Sequence, residues 1–245
     1  MSFCNKYWDA AKKNLAAAIQ GQNACISKTE LFEKWIISQN ISFSQNWNVL
    51  DIGSGMGRWS LWLAPNVKEV TALDISIEML KHVRLKAKSE NIENILLVKS
   101  DINDWNINNK ECYDLIISSG ILELLKDDEC KKLANKMFCS LTKGGLIIFR
   151  DHIVKLKKTK NDFFFLRTRK HYMHLFLKAG FSLKKDVISF PFFFDSYKID
   201  KNIISLSKGR KLLLLIVYGF LYKTYFLWQL FLKEHSTHIF ILEKQ

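Results

Sequence analysis

Apolar positions along this chain follow two rhythms. Short, dense apolar runs at 48–52, 70–74, 96–98, 113–118 and 146–149 read as buried strands, and between them apolar residues recur every three or four positions, as on one face of a helix. A helix is predicted over 77–88, with Ile77, Leu80, Val83 and Ala87 inward and a basic outer face. Another is predicted over 127–141, ending in a turn at Gly144 and Gly145. Ahead of the first strand, 7–40 reads as two helices, the first marked by Leu15, Ala18 and Ile19 and the second by Leu31, Phe32, Trp35 and Ile36. Toward the end, Tyr172, Leu175 and Phe176 mark a helix closed by Ala179 and Gly180, a sixth strand starts at Phe181, and 237–242 reads as a last strand. Alternation of strand and helix predicts a mainly parallel, doubly wound sheet with right-handed crossovers and a ligand at the carboxyl ends of its strands.

The first strand runs into the glycine-rich turn VLDIGSGMGRWSLWLA and then directly into a helix. It brings Asp51 to its carboxyl end, and Gly53, Gly55 and Gly57 let the backbone turn sharply and leave room for a ligand to touch it. About 20 residues on, Asp74 closes the second strand, the spacing at which a carboxylate meets the hydroxyls of a ribose. A dinucleotide fingerprint would require a small residue at Arg58, where a long cation stands instead. Asp51 at the mouth of the turn also suits an ammonium better than a diphosphate.

With these residues the chain resembles the class I S-adenosylmethionine-dependent methyltransferases, whose pattern is D-x-G-x-G-x-G followed by an acid ending the next strand. Further landmarks follow in order: Asp101 and Ile102 after the third strand, Glu123 after the fourth, and the fifth strand entered through LTKGG and left at Asp151. The resemblance implies an α/β, Rossmann-like fold with a doubly wound, mostly parallel seven-stranded sheet whose last strand inserts antiparallel between the fifth and sixth. One domain is expected over 1–245, with cap helices over 1–45, a cofactor-binding core over 46–151 and a substrate-side half over 152–245 that carries an apolar helical insertion at 206–234. It implies S-adenosyl-L-methionine as cofactor. Gly53 and Gly55 would approach it, Asp51 would sit near its ammonium together with the Ser118 carbonyl, and Arg58 would pair with its carboxylate. Asp74 with Ile75 would hold the ribose, and Asp101 with Ile102 would face the adenine. Tyr7 and Trp8 offer aromatic faces to a sulfonium, or simple packing of a cap helix.

Methyl transfer is an in-line displacement in which the cofactor supplies the activation, so the protein mainly aligns the two partners and removes a proton. Base candidates from the carboxyl edge of the sheet are Glu123, Asp151, His152 and Asp162. A weaker resemblance, to protein α-N-terminal methyltransferases, rests on G-x-G-x-G-R, a helical Trp near the N-terminus, an acid ending strand five, and Asp162 and Arg167 ahead of Ala179 and Gly180. That family has His where Glu123 stands and Asn where His152 stands, which puts a peptide-amine acceptor in doubt.

Composition narrows the acceptor. The formal charge is +13, and residues 151–245 hold 18 Lys and Arg against 7 Asp and Glu. That basic half suits an anionic membrane surface, a phosphorylated substrate or nucleic acid. The sequence after strand four is SSGI rather than an N/D-P-P-Y/F loop, which weighs against a nucleic-acid base as acceptor. The 21 residues 212–232 would measure about 32 Å as one helix. A single crossing there would place the last strand on the wrong side of a membrane, so the segment is expected to be a substrate lid or to lie in a membrane interface. The expected acceptor is a hydrophobic small molecule or a lipid-linked one, a glycan included, methylated on O or N. A non-catalytic cofactor- or membrane-binding module is the alternative of another class. Five scattered cysteines with no C-x-x-C pair argue for a reducing compartment and against zinc. With a charged N-terminus they set the expected location as cytoplasmic, peripheral to the inner membrane surface.

Overall fold

The structure is a computed structural model, and it describes residues 28–105, 112–156, 158–160, 164–191 and 235–245. Its main sheet has seven strands: β1 (Asn48–Ile52), β2 (Glu69–Asp74), β3 (Ile95–Lys99), β4 (Tyr113–Ser119), β5 (Leu141–Val154), β8 (Phe181–Pro191) and β9 (His235–Lys244). A two-stranded ribbon of β6 (Lys158–Lys160) and β7 (Phe164–Leu166) stands apart, in a stretch where no strand is predicted. The helices are α1 (Lys28–Asn40), α2 (Ser60–Leu63), α3 (Ile77–Ser89), α4 (Asp127–Ser140) and α5 (Arg169–Lys178).

The strand order is β3-β2-β1-β4-β5-β9-β8. Strands β3, β2, β1, β4 and β5 pair in parallel, and β9 runs antiparallel between β5 and β8. This is the Rossmann-like seven-stranded arrangement. Because β1 lies beside both β2 and β4, the chain reverses its winding direction there, and a crevice at the carboxyl end of β1 follows.

Alternation along the strands divides the core. Leu50, Ile52, Ile116, Ile147 and Phe149 face a layer containing residues of α4 and α5, with Phe149 stacked between Phe176 and Phe240. Val49, Leu115, Ile117, Ile148 and Ile241 face Ile36 and Ile37 of α1 and Trp59 and Leu63 around α2. Burying a side chain of this size contributes about 1.5–3 kcal/mol, so these two layers hold the sheet edge on which the crevice depends.

Four local expectations are corrected. The helix after the glycine turn is only one turn long and passes into a 3-10 turn at Ala64–Asn66, because Pro65 cannot continue an α-helical hydrogen-bond ladder. Strand β5 does not end at Phe149: β9 pairs with it as far as Val154, so Asp151 and His152 lie inside a strand and not after one. On α1 the inward face is Glu33, Ile36 and Ile37, while Leu31 and Trp35 are 58% and 44% exposed. Ile77, at the start of α3, is exposed, and Met79 takes its place beside Leu80, Val83 and Ala87. The first cap helix with Tyr7 and Trp8, the candidate Asp162 and the insertion at 206–234 lie outside the described residues.

Candidate functional site

The crevice is built from the ends of β1 and β2. Gly53 and Gly55 take left-handed φ values of +68° and +53°, which side chains resist, so the chain can reverse directly after β1. The amides of Gly53 and Ser54 then donate to the Leu73 carbonyl at 2.8 and 3.0 Å, tying the turn to β2. A Cβ on Gly53 would lie 2.2 Å from Ile121 Cδ1, whereas none of the described residues stands within 4 Å of the same position on Gly55. Backbone is therefore presented to open space at Gly55, and an apolar wall closes over Gly53.

Asp74 sits at the centre. Its Oδ2 accepts from the Gly55 amide at 2.8 Å and its Oδ1 from the Ser76 amide at 2.8 Å, so one carboxylate orders both the glycine turn and the start of α3. Burial raises its pKa, and the backbone hydrogen bonds from Ser76, Gly55 and Ile75 oppose the rise. Together with Ile52, Gly53, Leu73, Ile75, Ser100, Ile102 and Ile121 it lines one pocket. The result is a mainly apolar slot with one acid among its described lining residues, a chemistry that suits a nucleoside.

A second group lies above β4 and β5. Glu123, in a 3-10 turn at Leu122–Leu124, holds His152 through Oε2 and Nδ1 at 2.6 Å. The Glu123 amide donates to Asp151 Oδ1 at 3.2 Å. Asp151 is fully buried, with no hydrogen-bond partner for Oδ2 among the described residues, and burial followed by the nearby Glu123 carboxylate pushes its pKa well up. Three of the four base candidates thus meet at one place. Buried Arg167 fixes the turn that carries Glu123: its Nη1 donates to the carbonyls of Leu122 at 2.7 Å and Phe165 at 3.0 Å, its Nη2 to that of Leu125, and its Nε to Asp127 Oδ1 at 2.9 Å.

A family profile described as "Methyltransferase domain" matches residues 49–145, the stretch that supplies the glycine turn, Asp74 and the Glu123 turn. Among curated proteins, phosphoethanolamine N-methyltransferase 3 of Arabidopsis thaliana is 35% identical over 42% of this chain and 21% of its own length. Release factor glutamine methyltransferase of Streptococcus pneumoniae is 42% identical over 50% of this chain and 44% of its own. The chain thus spans less than half the length of either. Among solved structures, phosphoethanolamine N-methyltransferase 2 of Haemonchus contortus in complex with S-adenosyl-L-methionine superposes with a TM-score of 0.63 at 17% identity, over 86% of this chain and 52% of that one.

Residues 49–145 belong to a methyltransferase domain, and the sheet around them has the fold of an S-adenosylmethionine-dependent methyltransferase. Of the positions in this methyltransferase domain expected to meet the cofactor, Gly53, Asp74, Ile75 and Ile102 line the slot, and Gly55 borders it. They fit an adenosine: apolar walls for the base and a carboxylate for the two ribose hydroxyls. Other expected positions are occupied differently. Asp101 turns its Oδ1 to the amide and side chain of Asn103, at 2.9 and 3.2 Å, so it shapes the turn that presents Ile102. Ser118, whose carbonyl is the group expected to meet the ammonium, is fully buried at the end of β4, and its Oγ has no hydrogen-bond partner among the described residues.

Asp51 is also not turned toward a ligand. Its Oδ2 accepts from the amide and hydroxyl of Ser60, at 3.0 and 2.6 Å, and so anchors the start of α2. Burial pushes its pKa up to about 6, against the opposing effect of the Ser60 hydrogen bonds. Between about pH 4 and 6 the folded protein therefore binds this proton better than the unfolded chain, and stability falls as pH rises through that window. Asp51→Asn has no such proton, so its stability relative to the parent should improve by about 3 kcal/mol from pH 4 to pH 7, on the scale of 1.36 kcal/mol per pKa unit. Urea unfolding of both proteins at the two pH values measures this, and parallel pH dependence would refute it.

Arg58, expected to meet the cofactor's carboxylate, touches a carboxylate of the chain itself: Nη1 lies 3.2 Å from Glu33 Oε2, and Nη2 donates to Ser119 Oγ at 3.0 Å. Glu33 also accepts from Arg150 Nε at 2.8 Å and from Ser189 Oγ. Sequence reasoning missed Glu33, Arg150 and Ser189. The one available signal was an acid at an inward position of an amphipathic helix, in a chain with an arginine following its glycine turn.

Proposed function

We propose that this chain transfers a methyl group from S-adenosyl-L-methionine to a small-molecule acceptor, and that the acceptor is hydrophobic or lipid-linked and is methylated on O or N. The observation that carries this reading is the slot around Asp74, whose lining includes Ile121, two residues before the Glu123 of the Glu123–His152 pair. When bound, the cofactor supplies an electrophilic methyl carbon, and the protein then has to orient the acceptor and accept its proton. A carboxylate can only accept, so Glu123 holds the proton of the His152 ring on Nδ1 and leaves Nε2 as the basic nitrogen. His152 Nε2 takes the acceptor's proton, and Glu123 stabilises the imidazolium that results. Asp151, sealed in the core, serves through its hydrogen bond to the Glu123 amide.

The apolar part of the acceptor is supported by the aromatic clusters of the sequence at 163–165, 192–194 and 218–228, and an anionic group on it by the excess of Lys and Arg over residues 151–245. An anionic membrane surface on the cytoplasmic side fits the same features. Phosphoethanolamine, named in the plant relatives, is an anionic small molecule consistent with a basic half.

The test is to incubate the protein with a labelled methyl donor and extracts separated into lipid, glycan, peptide and nucleic-acid fractions. Label should enter the lipid or glycan fraction, and label confined to peptide or nucleic acid would refute the acceptor class. His152→Ala should lower the rate about 10²- to 10⁴-fold, the usual contribution of a general base, while heats of S-adenosylhomocysteine binding stay unchanged. A non-catalytic module would label nothing.

A further inference from the structure

Arg58, from the turn after β1, and Arg150, from β5, converge on one carboxylate, that of Glu33, which α1 delivers with no exposed surface. Burial lowers the pKa of Arg58; Glu33 opposes the fall and the like charge of Arg150 adds to it. Such a pair of arginines is held together only by an anion between them. The two halves of the Glu33 carboxylate are bound unequally. Oε1 accepts hydrogen bonds from Arg150 Nε, at 2.8 Å, and from Ser189 Oγ. Oε2 is buried at 3.2 Å from Arg58 Nη1, but the contact is misaligned and Oε2 has no hydrogen-bond partner among the described residues. The aligned bond of Arg58 goes to Ser119 Oγ, and its guanidinium lies over the Trp59 ring, 4.3 Å from the centroid.

An anchored Oε1 beside a loosely held Oε2 separates two tasks. Arg150 and Ser189 fix α1 to β5 and β8, and Arg58 can leave without releasing the helix. A buried carboxylate oxygen without an aligned donor is costly, so this contact stores little and exchanges readily. We propose that Glu33 is an internal placeholder for the ligand's carboxylate: it engages Arg58 before the donor binds and yields that guanidinium to the amino-acid carboxylate of the donor. The proposal rests on the S-adenosylmethionine reading above. Glu33 acts through Arg58 and is a positioning residue, setting how strongly the site discriminates nucleosides with an amino-acid tail from those without one.

Two probes separate this role from a structural one. S-adenosylhomocysteine carries the carboxylate, and 5′-deoxy-5′-methylthioadenosine has the same nucleoside without it. Glu33→Gln keeps the size and an oxygen for Arg150 but removes the competing charge. In calorimetric titration it should bind S-adenosylhomocysteine about fivefold tighter or better, the lower end of coupling between sites, and the methylthio nucleoside within about twofold of the parent. In an Arg58→Ala background the gain should vanish. A fall in S-adenosylhomocysteine affinity, or equal changes for both probes, would overturn the proposal. The parent protein gives a readout that needs no variant to fold: the NMR signal of the Arg58 side chain should shift on adding S-adenosylhomocysteine and hold still with the methylthio nucleoside. An equal response to both again overturns it. No heat from either probe with the parent protein would remove the donor reading itself, and the placeholder with it.

Discussion

Asp74→Ala should reduce S-adenosylhomocysteine affinity by about 100-fold or more. A carboxylate that accepts from both ribose hydroxyls makes two hydrogen bonds to a charged group, each contributing about 1.5–3 kcal/mol, and alanine removes both. The same change strips the Gly55 and Ser76 amides of their acceptor, so the glycine turn loses the contact that sets its distance from β2. Binding of 5′-deoxy-5′-methylthioadenosine should fall by a similar factor, since the ribose is common to both probes. That pattern distinguishes Asp74 from Arg58, whose loss should affect only the probe with a carboxylate. Titration calorimetry measures both affinities, and a thermal melt separates lost binding from lost folding. Affinity within about tenfold of the parent would show that Asp74 makes at most one weak contact with the ligand.

Asp74 was legible because two local facts located it: an apolar run of strand length, and a glycine turn about 20 residues earlier. Both are carried by neighbouring residues, and in a parallel sheet they bring the acid to the crevice whatever the rest of the chain does. Asp51 shows where this kind of reasoning stops. Its place at the end of β1 was readable, but the direction of its carboxylate depends on the Ser60 amide and hydroxyl, one turn further on, which capture it. Asp101 departs in the same way, toward Asn103.

Non-local partners hid the remainder. Strand β5 reaches Val154 because β9, more than 80 residues later, supplies a pairing partner for each residue from Leu146 on. Glu33 went unmarked among the apolar positions of its helix, since its inward position is stable only with Arg58 and Arg150 already in place. A sequence pattern records which side chains share a face. It does not record which cation from another element will meet the acid on that face, and in this site such encounters decide which groups remain available to a ligand.

Arg167→Ala should be the most destabilising single change in the described region. The side chain is fully buried and reaches three backbone carbonyls, those of Leu122, Leu125 and Phe165, besides Asp127. Each buried acceptor left unsatisfied costs about 1–3 kcal/mol, and some relaxation or water entry recovers part of it, so the total should be about 4 kcal/mol. For a domain of this size that corresponds to a melting temperature lower by roughly 10 °C. Asp127 is a contrast: it is more than one-third exposed, and Asp127→Asn should cost about 1 kcal/mol or less, as surface ion pairs do. Differential scanning calorimetry on the two variants makes the comparison, and equal shifts would mean that the ion pair, not the carbonyl contacts, is what Arg167 contributes. Chemistry should fail before binding in Arg167→Ala. The turn that loses its support carries Glu123, so His152 loses the partner that sets its tautomer, while the acid and all the apolar walls of the slot but Ile121 come from the ends of β1 and β2 and the turn after β3. Methyl transfer should therefore fall much further than S-adenosylhomocysteine affinity, a separation that simple global unfolding, which lowers both together, cannot produce.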